Sequence, residues 1–576
     1  MNVEHLKTDI LILGSGGAGL FAALHALKAN PDLDITVASK GLLGKCGCTR
    51  MVQGGYNVAL NPGDSIERHF MDTIEGGKWL PHQELAWTLV TKAIERVREL
   101  ENEIGCFFDR NPDGTLHGKA FAGQTFDRTV HKGDLTGIEI INRLMEQVWA
   151  RPIRRLEEHR AVALIPAQDG ALAGVLLIDV RTGKFCFVSA QAVLLATGGG
   201  PTMYRYHTPS GDKSMDGLAM ALRLGLPLRD MEMVQFHPTG LLAGPDTRMT
   251  GTVLEEGLRG VGGHLLNGAM QRFMGDYDPK LERATRDVVS RAIDAEMRAG
   301  RTTPNGGVYI KMSHLGPANV AKQFKGMVDR CRDCGFDLAG GLVEVVPTAH
   351  YFMGGVICEV DTATECYGLF VAGEDASGMH GANRLGGNGV ANSTVFGGIA
   401  GDVMPHWIAK NPGHRPPDTH VLDAEVERAL HPFTRKPGDL NALREKLLDT
   451  MWDEVGVVRG RASIERGIAG IDGIEAELLA TGLADGGRQF NLTWHDWLNL
   501  RSLCEISRVI ALAALRRENS RGAHYRSDFP EPGDLATSTF TVARHISGGI
   551  EITERPVVFS HVKPGETLLR DPIAAE

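Results

Sequence analysis

The chain begins with a polar stretch, Met1 to Lys7, and then an apolar run, Asp9-Ile10-Leu11-Ile12-Leu13, that breaks into Gly14-Ser15-Gly16-Gly17-Ala18-Gly19. The apolar segment that follows, Leu20 to Ala29, predicts a helix, so the order is strand, tight turn, helix N-terminus. Two more apolar runs end in glycine in the same manner, Ala192 to Gly200 and Gly368 to Gly373. Runs of this kind predict buried parallel strands whose C-terminal ends meet a ligand. From about 411 to 530 the pattern turns helical. Helices are predicted over Asp423–Leu430, Leu440–Val455, Ile471–Thr481 and Trp494–Arg517, punctuated by prolines at Pro412–Pro417 and Pro530–Pro532. The segment after that predicts short strands and turns.

Composition narrows the class. A chain of 576 residues exceeds one compact core, so several domains are expected. The pattern places them at 1–230 plus 351–410 for a dinucleotide-binding domain, 231–350 for an inserted substrate domain, 411–530 for a helical domain and 531–576 for a C-terminal segment. Hydrophobic content of 43% and charged content of 23% are those of an ordinary globular protein. A net charge of −10 argues against a nucleic-acid partner, yet leaves room for a small anion held by a few buried arginines. No segment has the roughly 18 uninterrupted apolar residues of a membrane span. The polar start runs straight into the first strand, which predicts no export signal and a cytoplasmic location. The nine cysteines form no disulfide framework, and Cys331-x-x-Cys334 has no second pair beside it, so no metal site is expected.

The glycine turn has a defined chemistry. In G-x-G-x-x-G after a strand, Gly14 permits the turn and Gly16 lets the backbone approach a pyrophosphate. Gly19 lets helix and strand pack closely, and the helix N-terminus faces the anion. Alone the motif is weak. Four downstream clusters give it meaning: Gln235-Phe236-His237-Pro238-Thr239-Gly240; Glu255-Glu256-Gly257-Leu258-Arg259-Gly260; Thr285-Arg286-Asp287 with Arg291; and His350-Tyr351-Phe352-Met353-Gly354-Gly355 with His380-Gly381-Ala382-Asn383-Arg384-Leu385-Gly386-Gly387-Asn388. Singly, such residues are ordinarily structural histidines and salt bridges. Together they point to a small-anion pocket beside a redox cofactor.

These motifs, with Ser39-Lys40, Gln53-Gly54-Gly55, Phe121-x-Gly123-Gln124, Ala196-Thr197-Gly198-Gly199, Ser520-Arg521-Gly522-Ala523-His524 and Asp528-Phe529-Pro530, keep the order and approximate spacing of one family. The chain resembles the flavoprotein subunits of succinate dehydrogenase and fumarate reductase, with which L-aspartate oxidase belongs. The resemblance implies an α/β fold: a Rossmann-like FAD-binding domain with an inserted α+β capping domain and a C-terminal helical domain. It implies FAD as cofactor, held by Gly14, Gly16, Gly17, Ala18, Gly19, Ser39, Lys40, Cys48, Thr49, Gln53, Gly54, Gly55, Thr197, Gly198, Asp216, Glu374 and Asn388. It implies hydride transfer between flavin N5 and one carbon of a carboxylic acid, with Arg286, relayed by Glu256 and Arg259, moving a proton at the neighbouring carbon. Arg384 and His350 would hold the adjacent carboxylate, His237 the far end, and Phe121 would press on the substrate. An iron–sulfur or other electron-transfer partner is implied too, although the C-terminal region looks atypical and short for it.

Four positions depart from the family. Glu255 stands where Thr helps bind the distal carboxylate; an opposed second carboxylate there would cost about 1 to 4 kcal/mol. Either Glu255 is turned away or protonated, or the substrate's distal end is neutral, hydroxylated or cationic. Cys48 fills the slot of the histidine that carries FAD covalently, so histidyl attachment is excluded and noncovalent FAD is expected; a Cys48 thioether is the alternative. Leu135 replaces a common Arg, and Gly389 a common Ser. The expected activity is interconversion of saturated and α,β-unsaturated carboxylates. The alternatives are an L-aspartate-oxidase-like amino-acid oxidase and a non-catalytic electron-transfer subunit.

Overall fold

A computed structural model describes residues 3–244 and 247–569. Met1 and Asn2 of the polar start, and 570–576 of the C-terminal segment, lie outside the described residues. The first strand, β1 (Glu4–Leu13), is followed by α1 (Gly17–Ala29) and β2 (Ile35–Ser39). Three more strands, β3 (Arg154–Glu157), β4 (His159–Pro166) and β5 (Leu172–Asp179), lead to β6 (Phe185–Leu195). They form one sheet in the order β3-β2-β1-β6-β5-β4, and the late strand Leu369–Val371 pairs with β6. β1, β2, β6 and Leu369–Val371 run parallel, with Leu13 opposite both Ala38 and Leu195, and Leu195 opposite Val371. Their carboxyl ends therefore lie side by side, which is where open α/β sheets bind ligands. The three apolar runs ending in glycine are these strands. They are buried on both faces, as continuous rather than alternating apolar patterns require.

α1 packs on the sheet beneath the long helix Asn388–Lys410. The approach is close because Gly14 takes φ +114°, and a Cβ on Gly19 would lie 2.0 Å from the Gly14 carbonyl oxygen.

A second, antiparallel sheet joins β7 (Val234–Leu241), β8 (His264–Leu266), β9 (Val308–Lys311) and β10 (Leu342–Phe352) in the order β7-β10-β9-β8. With α2 (Arg286–Arg298) and α3 (Lys325–Asp333) it encloses a separate apolar core that includes Leu254, Val289, Ile293, Phe324 and Met327. β10 runs without a break past the boundary expected at 350. Four helices follow, Thr419–Leu430, Leu440–Glu454, Arg461–Ala480 and Leu492–Arg516, and their inward residues are continuous with the core of the first sheet. A closing hairpin, β11 (Thr539–Ile546) and β12 (Gly549–Pro556), pairs with Leu228–Arg229. No helix among the described residues is long and apolar enough to cross a membrane.

Candidate active site

One continuous cleft runs from the carboxyl ends of the parallel strands to the seam with the second sheet. At its first end lie Gly14, Gly16, Gly17 and Ala18, with Ser39 and Lys40. The N-cap residue of α1, Gly16, supplies no side-chain cap, and of the first-turn N–H groups Gly17 N is taken by Thr49, which leaves the helix start open to an anion. Ser15 and Ser39 hydroxyls are 2.9 Å apart, and Thr49 Oγ1 accepts from Gly17 N at 3.0 Å. Asp216, also in the wall, is bonded by Lys40 at 3.0 Å and Arg160 at 2.6 Å. Burial alone would raise its pKa, but these cations hold it well below the usual range. Midway sit Cys48, Gln53, Gly54, Gly55, Thr197, Gly198, Lys213 and Glu374. Burial lifts Glu374 to about 7, although its carboxylate accepts from Phe352 N at 2.8 Å. A narrow trough with an uncapped helix start at one end and a glycine-lined middle fits an extended dinucleotide such as FAD.

Two of the expected cofactor residues stand elsewhere. Gly19 is not in the cleft wall; it acts through the close packing of α1 on the Gly14 turn. Asn388 faces the opposite way, its side chain bonded to Asn57, His69 and Thr73 at 2.8 to 3.1 Å. It is fully buried, and Asn57, which bonds it, also donates to the Gly386 carbonyl at 2.7 Å.

The other end of the cleft holds Phe121, His237, Glu255, Glu256, Arg286, His350 and Arg384. They come from strands, loops and one helix start. His237 sits on β7 and His350 on β10, with ring centroids 5.4 Å apart. Arg286 is the first residue of α2. Its Nη2 donates to Glu256 Oε2 at 2.7 Å, and its Nη1 to Gln235 Oε1 at 3.0 Å. Arg259, one turn on from Glu256, donates to Glu256 Oε1 at 3.0 Å and to the Glu282 carbonyl at 2.8 Å. Arg259 does not reach the cleft; it stands behind Glu256. Burial would raise Glu256, but Arg286 and Arg259 pull it down to about 2. Both histidines are kept neutral, first by burial and then by Arg286.

Arg384 lies over the Tyr351 ring, 4.4 Å from its centroid. The Tyr351 hydroxyl is bonded by Asn392 at 3.1 Å and lies 3.3 Å from His380 Nε2. Burial and the nearby Arg286 lower Arg384 to about 10, so it remains a cation at neutral pH. Phe121 packs against the Gly54 and Gly386 backbones. Glu255 is neither turned to solvent nor unpaired: it is buried, and Lys119 Nζ donates to its Oε1 at 2.6 Å. Lys119, Lys213, Arg160 and Tyr351 had no place among the site residues expected from sequence. Tyr351 adjoins His350, and Lys119 lies two residues from Phe121, but only long-range contacts give them roles. Leu135 is exposed, and Gly389 lies against Arg384 and Tyr351.

A dinucleotide trough ending in a wall of arginines, histidines and one shared carboxylate has the layout of a flavin oxidoreductase. Residues 9–390 match the family model described as an FAD binding domain, and 444–568 that of the fumarate reductase flavoprotein C-terminus. The C-terminal region read as atypical is thus one the family shares. The chain is 39% identical over 539 residues to a fumarate reductase (CoM/CoB) subunit of Methanothermobacter marburgensis, covering 92% of this chain and 96% of that protein. It is 33% identical to the fumarate reductase flavoprotein subunit of Escherichia coli K12, over 91% and 89%. A solved E. coli quinol fumarate reductase FrdA chain superposes with a TM-score of 0.92 at 31% identity, over 98% of this chain and 99% of that one. The chain belongs to the fumarate reductase/succinate dehydrogenase flavoprotein family. It is an FAD-dependent oxidoreductase acting on CH–CH bonds.

Proposed function

We propose that this chain reduces an α,β-unsaturated carboxylate, or oxidises its saturated partner, with Arg286 as the proton-transferring group. The observation that carries this reading is the sharing of one buried carboxylate, Glu256, by Arg286 at the cleft wall and Arg259 behind it. Bound FAD supplies hydride exchange with one carbon of the substrate. Arg384, with His350, holds the carboxylate next to that carbon and neutralises charge as it develops there. Arg286 gives its proton to the neighbouring carbon, and Glu256 and Arg259 restore it. Gln235 keeps the Arg286 guanidinium aimed, since it also ties to Asn383 and the Arg384 carbonyl at 2.9 and 2.7 Å. FAD is held noncovalently, because burial pushes the Cys48 thiol up to about 12 and away from the nucleophilic thiolate.

Several relatives are named as subunits, which supports a separate electron-transfer chain, such as an iron–sulfur protein, as partner. Nine unpaired thiols support a cytoplasmic setting. The test is anaerobic: the flavoprotein is reduced with dithionite and fumarate or a related unsaturated acid is added. Return of the oxidised flavin band supports the reading. No return with any unsaturated acid, on protein shown to hold FAD, overturns it.

A further inference from the structure

Lys213 stands in the middle stretch of the cleft, beside Gly47, Cys48, Gly198 and Glu374. Its backbone is pinned: Lys213 N donates to the Ser210 carbonyl at 3.0 Å, and the Lys213 carbonyl accepts from the Thr202 hydroxyl at 2.8 Å. Its Nζ donates to the Thr197 carbonyl at 2.9 Å. An ammonium has three N–H donors, and this bond takes one. The group is not sealed off. The residue is only partly buried, and its Nζ faces the space that two glycines of the cleft wall leave open: a Cβ on Gly47 would lie 3.7 Å from it, and one on Gly198 3.5 Å. The charge is also uncancelled at contact. Lys40 and Arg160, on the same half of the cleft, both pair with Asp216. Among the described residues no carboxylate lies at ion-pair distance from Lys213. The acids around it are engaged elsewhere: Asp212 accepts from the Ser210 hydroxyl, Glu374 from Phe352 N at 2.8 Å, and Asp375 from Gly198 N at 3.0 Å. Burial opposes the charge, yet the acidic groups near it leave its pKa raised, so it is a cation at neutral pH.

The phosphates of a dinucleotide belong at the start of α1, and its redox ring belongs against the acid-binding wall of Arg286, Arg384 and His350. Lys213 lies between the two. When FAD takes up two electrons and one proton, the flavin gains one negative charge. A fixed cation beside it favours that product over the oxidised form. Resting on the FAD-binding reading of the cleft, we propose that Lys213 faces the bound flavin and raises its reduction potential by stabilising the anionic reduced form. Arg286 is paired with Glu256, and Arg384 is assigned to the substrate carboxylate, so Lys213 is the cation left to the cofactor. The consequence is directional: a raised potential makes the bound flavin a stronger acceptor, from a saturated acid or from an electron-donating partner.

The experiment measures the potential of the FAD-loaded protein, without substrate, by anaerobic equilibration with reference dyes. Lys213→Gln removes the charge and keeps a donor for the Thr197 carbonyl, whereas Lys213→Arg keeps the charge. At a fixed dye potential the ratio of reduced to oxidised FAD is expected to fall about tenfold in Lys213→Gln, equivalent to about 30 mV for a two-electron couple, and to stay within about twofold of the wild type in Lys213→Arg. Lys213→Met is expected to give the same fall if the glutamine variant does not hold FAD. In parallel, oxidised FAD is titrated into the apoprotein, and its affinity is expected to change little in any variant. An unchanged ratio in the neutral variants, or an equal fall in Lys213→Arg, overturns the proposal. So does a loss of affinity for oxidised FAD that matches the loss for the reduced form, or loss of FAD from both neutral variants, since either places the ammonium against the phosphates. A wild-type protein that takes up no FAD counts instead against the cleft as a dinucleotide site.

Discussion

The Glu256 carboxylate takes hydrogen bonds from Arg286 on one side, at 2.7 Å, and from Arg259 on the other, at 3.0 Å, with all three side chains buried. Two cations share one anion here. The guanidinium facing the cleft is thus backed by a group that can accept and return its proton, and by a second guanidinium that holds that group ionised.

This arrangement ties stability to pH. Glu256 has its folded pKa depressed from 4.5 to about 2, so its contribution is fully present above pH 4.5 and is lost as pH falls towards 2. The urea midpoint of the wild type is expected to fall on acidification through that window, and Glu256→Gln to show a shallower acid dependence. At pH 7 the Gln variant is expected to be less stable by about 3 to 5 kcal/mol, because two buried arginines lose their counter-charge. Equal acid slopes in the two proteins would contradict this.

Tyr351 supports Arg384 through its ring face. Tyr351→Phe keeps the ring and is expected to leave KM for the carboxylate within about threefold. Tyr351→Leu removes a desolvated cation–π contact worth about 2 kcal/mol, and KM is expected to rise about 30-fold. Steady-state kinetics separate the two; equal effects would place the role in the hydroxyl and its bonds to Asn392 and His380.

Gly19 is expected to tolerate no side chain. Its Cβ would stand 2.0 Å from the Gly14 carbonyl oxygen, so Gly19→Ala forces α1 away from the turn. A stability loss of about 2 to 3 kcal/mol is expected, with FAD content well below one per chain, by thermal unfolding and by flavin absorbance. Full occupancy would show that the turn is more compliant than the packing suggests.

Acid precipitation checks the flavin linkage. The Cys48 thiol, pushed up to about 12 by burial, stays protonated at neutral pH. All yellow colour is expected in the supernatant, and Cys48→Ser is expected to keep its FAD. A yellow pellet from the wild type and a colourless one from Cys48→Ser would establish a thioether.

The strand–glycine–helix start and the two later strands were legible because both signals are local: apolar runs and residues that only turns require. The helices of the C-terminal half were legible from period alone, although the third begins at Arg461, ten residues before the predicted Ile471, through a glycine-rich stretch that lowers helix propensity. The proposed catalytic constellation was readable only through family resemblance, since Glu256, Arg286 and Arg384 lie on three separate segments. What escaped the sequence is pairing across distance. Lys119 meets Glu255 from 136 positions away, and Asn388, adjacent to a cleft loop, turns inward to Asn57. Neither direction is encoded in the neighbouring residues; each is set by contacts between segments far apart in the chain.

The most direct measurement is stopped-flow reoxidation of the reduced holoprotein by its unsaturated acid, for the wild type and Arg286→Gln, with binding of the saturated acid titrated separately. A proton-transferring Arg286 predicts a reoxidation rate lower by about 10² to 10⁴ with binding changed only a few-fold. An unchanged rate in Arg286→Gln, or a loss wholly in binding, would contradict the assignment of the proton to Arg286.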